Sequence, residues 1–370
     1  MNADMNPLEG QMRRRHFRRA QNLLFLGILL IVGVNFGLEG QSHCHELDNS
    51  PIQSMPPSQR YDEKHQNKTL VIVMGDLRCG EPCWKSLQEN VIQPNQADLA
   101  LLIQEPKPQY ENASLLEIAK YHWHVPQFEN WLDALDIIMD NSSDWHTNFF
   151  HTLSPIYQQN IVLGPIRYQF PHQSTAHQFP GSAVIIFMMR FFLSQHIERL
   201  RLHLDGGYYD WFIVTRSDHY YRCDHALTNK LQPEYVYIPR GEDYGGISDR
   251  HMIVHRQHVL ASLNILPPLL QHPDQYKGFF QAREHHNSEM FVKLRFRQQG
   301  LRSQRFPRTM FLAGVAGVDS ANWKTAWKTV QSLDKDIQIK YQNEYYASKR
   351  ACHKILGRKR RRRNNQTNAW

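Results

Sequence analysis

Arg216, Asp218 and His219 lie within four consecutive residues and carry side chains able to hold a phosphate, a hard cation or a proton. They follow Trp211-Phe212-Ile213-Val214, a short aromatic and β-branched run of the kind that forms a buried strand. In open α/β sheets ligands bind just beyond the carboxyl ends of strands, which is where Thr215 to His219 would stand. Asp218 has the chemistry of an oxygen ligand for a divalent cation. Arg216 matches a phosphate or carboxylate in fork geometry. The same two residues also read as an ion pair that closes a strand end.

Two further loops carry similar residue types. Leu70 to Met74 is an apolar strand, and Gly75-Asp76-Leu77-Arg78-Cys79-Gly80 follows it as a glycine-bounded turn. Its backbone N–H groups and Arg78 suit a phosphate, although the glycine-lysine-hydroxyl signature of a nucleotide-binding P-loop is missing; a tight turn with a solvated arginine fits equally. Tyr235 to Ile238 is another strand, leading into Pro239-Arg-Gly-Glu-Asp243-Tyr-Gly245-Gly246-Ile-Ser-Asp249-Arg250. Paired glycines flanked by acids point to a backbone that approaches a ligand closely. Asn287-Ser288-Glu289 reads as a helix cap and first turn.

The elements that must position these residues are legible from periodicity. Strand 70–74, a helix entered at Pro82 and strand 99–103 form a βαβ unit, hence a parallel sheet. Residues 104–180 are polar and aromatic and predict loops and short helices. Ala183 to Leu193 is too short to span a bilayer and reads as the start of a buried helix running on through Ile197 and Leu200. His251 to Leu263 predicts a helix, and Arg305 to Leu312 a last strand. The expected body is one domain with a mainly parallel central sheet.

The net charge of +8 is local: Arg13, Arg14, Arg15, Arg18 and Arg19 form one block and Arg358 to Arg363 another, leaving the remainder slightly acidic. The body therefore has no polyanion footprint, and nucleic acid is not an expected partner. The segment Leu23 to Leu38 is apolar apart from Asn35, follows the first arginine block and precedes acids. It predicts a single membrane span with the amino terminus cytoplasmic and the body lumenal; a cleaved signal peptide is the competing reading, but no small-x-small cleavage site follows. Sequons at Asn67, Asn112 and Asn141 agree with that compartment. The expected organisation is a cytoplasmic tail at 1–20, a signal anchor at 21–38, a flexible stem at 39–68, an α/β domain at 69–320 and a polar extension with a basic tail at 321–370. Five cysteines, Cys44, Cys79, Cys83, Cys223 and Cys352, match no zinc pattern. Their spacing does not choose among disulfide pairings.

From Thr69 to Leu312 the order of VIVMGDLRCGEPCW, YDWFIVTRSDHYY, IPRGEDYGGISDRH and NSE resembles GT-A type glycosyltransferases of type II membrane topology. The resemblance implies a GT-A-like fold, a nucleotide-sugar donor, a glycan or glycoprotein acceptor, and residence in the Golgi or endoplasmic reticulum membrane. It also implies a strand-end Asp-x-Asp pair holding Mn2+ or Mg2+; here Arg216 occupies the first position and Asp218 the second. Asp218, with His219, His285 or His286, is the implied metal site. Gly75, Asp76, Arg78, Arg216, Asp218, Gly245, Gly246 and Arg250 are the implied donor-binding residues. Asp243, Asp249 and Glu289 are candidate general bases for the acceptor hydroxyl, though a salt bridge at Asp249 and a helix-dipole contact at Glu289 would also explain those acids. Two other readings share the topology: a carbohydrate-binding or scaffold protein that keeps the fold without activity, and a Golgi sulfotransferase. The latter would need hydroxyl side chains in the 75–80 loop.

Overall fold

The computed structural model describes residues 68–367, apart from 140–144, 154–160, 171–173, 180, 205–207, 282–286, 317, 320–327 and 330–336. The expected anchor, the stem, the sequons at Asn67 and Asn141, Cys44, and His285 with His286 lie outside these residues. Asn112 is described and exposed. Among the described residues no helix is long and apolar enough to cross a membrane.

The chain forms strand β1 (Thr69–Met74), helix α1 (Glu81–Leu87), β2 (Asp98–Ile103), β3 (Tyr121–His124), α2 (Ala183–Arg199), β4 (Trp211–Thr215), β5 (His219–Tyr221), β6 (Tyr235–Pro239), β7 (Met252–His255), α3 (Arg256–Leu263), α4 (Ser288–Gln298), β8 (Arg302–Phe306), β9 (Met310–Val315), β10 (Lys328–Thr329), β11 (Ile337–Ile339) and α5 (Gln342–Thr367). The central sheet has the order β8-β6-β7-β4-β1-β2-β3. Every strand but β7 runs the same way. The four expected strands thus share one sheet, and β1 and β4 are immediate neighbours, with Thr69 opposite Trp211 and Val73 opposite Thr215.

Both faces of this sheet are covered, which is why its strands read as unbroken apolar runs. Leu70, Ile72, Leu102, Phe212 and Val214 pack with α2 in one core. Val71, Val73, Leu101, Trp211 and Ile213 pack with Trp84 and Leu87 of α1 and with Met310 and Phe311 in the other. A second sheet, β10-β11-β9-β5, stands beyond the carboxyl edge of the first. It is anchored there by β5, which follows β4 after only three residues.

Two expected elements differ. Residues 252–255 form a strand, and the helix begins only at Arg256. A short apolar run has no helical or strand period of its own, and the slot between β4 and β6 decides the outcome. Arg305 to Leu312 is two strands in two sheets, separated at Pro307, which has no N–H to continue a ladder. The segment expected as a polar extension supplies β11, which pairs with β9, and α5, whose Cys352 is disulfide-bonded to Cys223. Cys79 and Cys83 form the other disulfide.

Candidate active site

The register of the sheet brings three loops to one edge. Since Val73 lies beside Thr215, residues 75–80 and 216–218 leave the sheet together. Because β7 is antiparallel and Met252 pairs with Val214, Arg250 and His251 enter the sheet at the same edge. Ser217 joins the first two loops: its hydroxyl donates to the Asp76 carbonyl at 2.7 Å and accepts from the Arg78 N–H at 3.0 Å. Gly75 takes φ 102°, as a residue without Cβ can, and its N–H bonds back to Leu102 O. Arg78 pairs with Asp76 at 2.9 Å, both side chains about one-third exposed. On the far side of the loop the buried Asp319 carboxylate accepts from the Cys79 N–H at 2.7 Å and from the Tyr110 hydroxyl.

Asp218 is buried, and Arg216 grips it in a two-pronged pair, Nε to Oδ1 at 2.8 Å and Nη2 to Oδ2 at 2.7 Å. Burial alone would raise the Asp218 carboxyl. The bidentate guanidinium overrides burial and holds it well below the usual carboxylate range. His219 is buried as well, its Nδ1 at 2.9 Å from Thr215 Oγ1. The same Thr215 hydroxyl meets Tyr221 Oη and His251 Nδ1, and His251 Nε2 meets His225 Nε2 at 3.0 Å. Burial pushes His219 and His251 far down in pKa and His225 to about 4, so these rings are neutral members of a closed network. This donor set does not fit a divalent cation as it stands: both oxygens of Asp218 and one nitrogen of His219 are engaged. Among the described residues no three His, Cys, Asp or Glu side chains gather as ligands.

The 240–250 loop is fastened to the amino end of α4. Asn287 caps that helix by accepting from the Met290 N–H at 2.8 Å, and its amide donates to Tyr244 O. Ile247 N–H donates to Glu289 O at 2.9 Å. The close approach that the paired glycines foretold is made by Gly246, against the backbone of Glu289: a Cβ there would stand 2.0 Å from the Glu289 carbonyl. Asp243 pairs with Arg305 at 2.8 Å, and Arg305 also donates to Gly246 O. Lys293 donates to Gly245 O. This packing brings Glu289 beside Asp249. Burial, then the Asp249 charge, push the Glu289 carboxyl up to about 7. Asp249 is itself held by Arg190 of α2, fully buried, whose guanidinium donates to the Asp249 carbonyl at 2.9 Å. Arg190 had one signal in the sequence, as the lone charge in an apolar run.

Glu344, at the start of α5, is a second buried acid, after Asp319, that the sequence did not single out. It pairs with Arg308 at 2.8 Å and Arg250 at 3.2 Å, and accepts from the Leu312 N–H. Arg308 in turn donates to Arg240 O and Gly241 O. Just before α5, the Tyr341 ring carries Arg250 at 5.0 Å and Lys340 at 5.5 Å. Burial, then Arg216, push the Lys340 ammonium down to about 8. The edge of the sheet therefore gathers Arg78, Arg216 and Arg250, each paired with an acid. Beside them stands a carboxyl pair whose Glu289 exchanges a proton near neutrality.

No family model and no curated protein matches the chain. Among solved structures, mouse xyloside xylosyltransferase 1 in its apo form is similar at 10% identity over 65% of this chain and 84% of that one, with a TM-score of 0.32. A likeness of that degree transfers no residue roles.

Proposed function

We propose that the protein is a glycosyltransferase that moves a sugar from a nucleotide-sugar donor to a glycan or glycoprotein acceptor. The observation that carries this reading is the juxtaposition, at the carboxyl edge of a parallel sheet, of Arg78, Arg216 and Arg250 with the Asp249–Glu289 pair. Glycosyl transfer has two electrostatic demands. The diphosphate leaving group needs positive charge, which fixed cations in a partly buried site supply without reorganisation. The acceptor hydroxyl must lose a proton, and a carboxylate titrating near 7 is matched to that task. Arg78 and Arg250 take the diphosphate, the 75–76 backbone lies against the nucleotide, and Glu289 is the general base with Asp249 tuning it. A Mn2+ or Mg2+ ion would have to displace Arg216 from Asp218 before it could join them. The anchor and sequons in the sequence support a single-pass protein of the Golgi or endoplasmic reticulum with this site lumenal.

The closed Arg216–Asp218 pair favours a second reading, a carbohydrate-binding or scaffold protein without activity. Incubating the full-length protein with a panel of nucleotide sugars separates the two. Release of nucleoside diphosphate from at least one donor, accelerated by an acceptor glycan, is the expected result. Donor binding without turnover would select the inactive reading, and no binding to any donor would reject both.

A further inference from the structure

The turn that leads into the paired glycines presents an aromatic ring at a backbone position that disfavours one. Gly246 N–H donates to Asp243 O at 2.6 Å, and the two residues between them, Tyr244 and Gly245, have φ 45° and 82°. Positive φ at both central positions is the mark of a type I′ turn, which favours asparagine or glycine at the first of them. A tyrosine is strained there, so its side chain, not the turn, accounts for its presence. Tyr244 is 48% exposed and, with Tyr346 of α5, one of two exposed aromatic residues among those described. Its backbone is fixed: Tyr244 O accepts from the Asn287 amide at 2.9 Å and Gly245 O from Lys293 at 3.1 Å, which ties the turn to the helix end that carries Glu289. The phenol hydroxyl faces Glu242 and Tyr341. Arg250 joins this group, donating to Glu242 O at 3.2 Å and lying 5.0 Å from the Tyr341 ring. A half-exposed aromatic face beside a carboxylate suits a sugar: the C–H face of a pyranose packs on the ring, and its hydroxyls donate to the acid. The same carboxylate repels the phosphates of a nucleotide.

We infer that Tyr244 is a sugar-binding residue of this site, its ring packing against a pyranose of the acceptor while Glu242 takes that sugar's hydroxyls. The inference rests on the transferase reading for the ligand's being an acceptor, but sugar binding is common to both readings of the site and can be tested alone.

The experiment records saturation-transfer NMR of the full-length protein with the methyl β-pyranosides of xylose, glucose, galactose and N-acetylglucosamine, and titrates UDP by calorimetry. Tyr244→Phe keeps the ring. Tyr244→Asn removes it and puts asparagine where this turn favours it; melting curves are taken for both. The expected result is that at least one pyranoside binds, with saturation strongest on its ring C–H protons. Tyr244→Asn should weaken it about tenfold, as loss of an aromatic contact implies, without lowering UDP affinity or the melting midpoint, and Tyr244→Phe should keep most of the affinity. Binding of none of the four, or equal affinity in Tyr244→Asn, would overturn the inference. So would UDP affinity that falls with the ring, which would make Tyr244 a platform for the nucleobase, or a lower midpoint with unchanged pyranoside signals, which would make the ring structural. Tyr244-dependent pyranoside binding without release of nucleoside diphosphate from any donor would reject the transferase reading and leave the sugar site standing. Turnover whose acceptor KM is indifferent to Tyr244→Asn would do the reverse.

Discussion

Glu289 carries the sharpest single-residue consequence. Its carboxyl is raised from an ordinary value near 4.5 to about 7 by burial and by Asp249. As a general base it works only when ionised, so the wild-type rate should climb as pH rises through about 7, and Glu289→Gln should lower the rate roughly 10²–10⁴-fold and flatten that climb. Linkage gives an independent reading. A carboxyl whose folded pKa lies above its unfolded one makes the folded state bind the extra proton, so stability falls as pH rises from about 4.5 to about 7. Gln removes that loss. Urea denaturation at pH 8 should find the variant at least as stable as wild type; a clear destabilisation there would mark the carboxylate as structural. The sequence showed Glu289 as an acid in a first helical turn. It did not show Asp249 beside it, because that contact depends on how the 240–250 loop packs on α4. Arg216 and Asp218 were legible because the abrupt change from apolar strand to polar turn lies within nine residues of chain.

At the scale of elements, the joint between the glycine loop and α4 holds the carboxyl pair together. Gly246→Ala would thrust a methyl into the Glu289 carbonyl. Neither partner is the free end of a side chain, so the loop or the helix must move. Overpacking of this kind costs about 1–3 kcal/mol, and the displaced helix takes Glu289 with it. The expected outcome is a lower denaturation midpoint together with loss of the neutral-pH climb in rate; an unchanged midpoint and pH profile would mean that the loop yields without cost. Strands β1, β2, β4 and β6 could be read because burial on both faces makes each a dense apolar run. β7 was misread as helix because four residues, Met252 to His255, contain only two strand periods and little more than one helical turn. The break at Pro307 was visible as a residue type, but its meaning, a chain passing from one sheet to the other, depends on partners distant in sequence.

For the molecule as a whole, the disulfide between Cys223 and Cys352 closes a span of 129 residues and ties α5 to the turn after β5. Constraining a loop of that length in the unfolded chain is worth about 3–5 kcal/mol. Cys352→Ser should lower stability by that order. It should also weaken nucleotide-sugar binding, because Tyr341 and Glu344, which meet Arg250, belong to the segment that the bond secures. A melting curve and a binding titration on one sample check both, and an unaffected affinity would show that β11 holds these residues unaided. Little of this was legible beforehand: residues 321–370 are polar and lack a strong period, and Glu344 gains its role only from arginines 36 and 94 positions earlier in the chain. Translation proceeds from the amino end, so every strand of the central sheet is synthesised before Glu344 and Cys352 exist. Through that interval Arg250 and Arg308 await the carboxylate that will close on them, and Cys223 has yet to meet its native partner. A polypeptide released before residue 342 would carry the sheet and its strand-end loops but neither Glu344 nor Cys352.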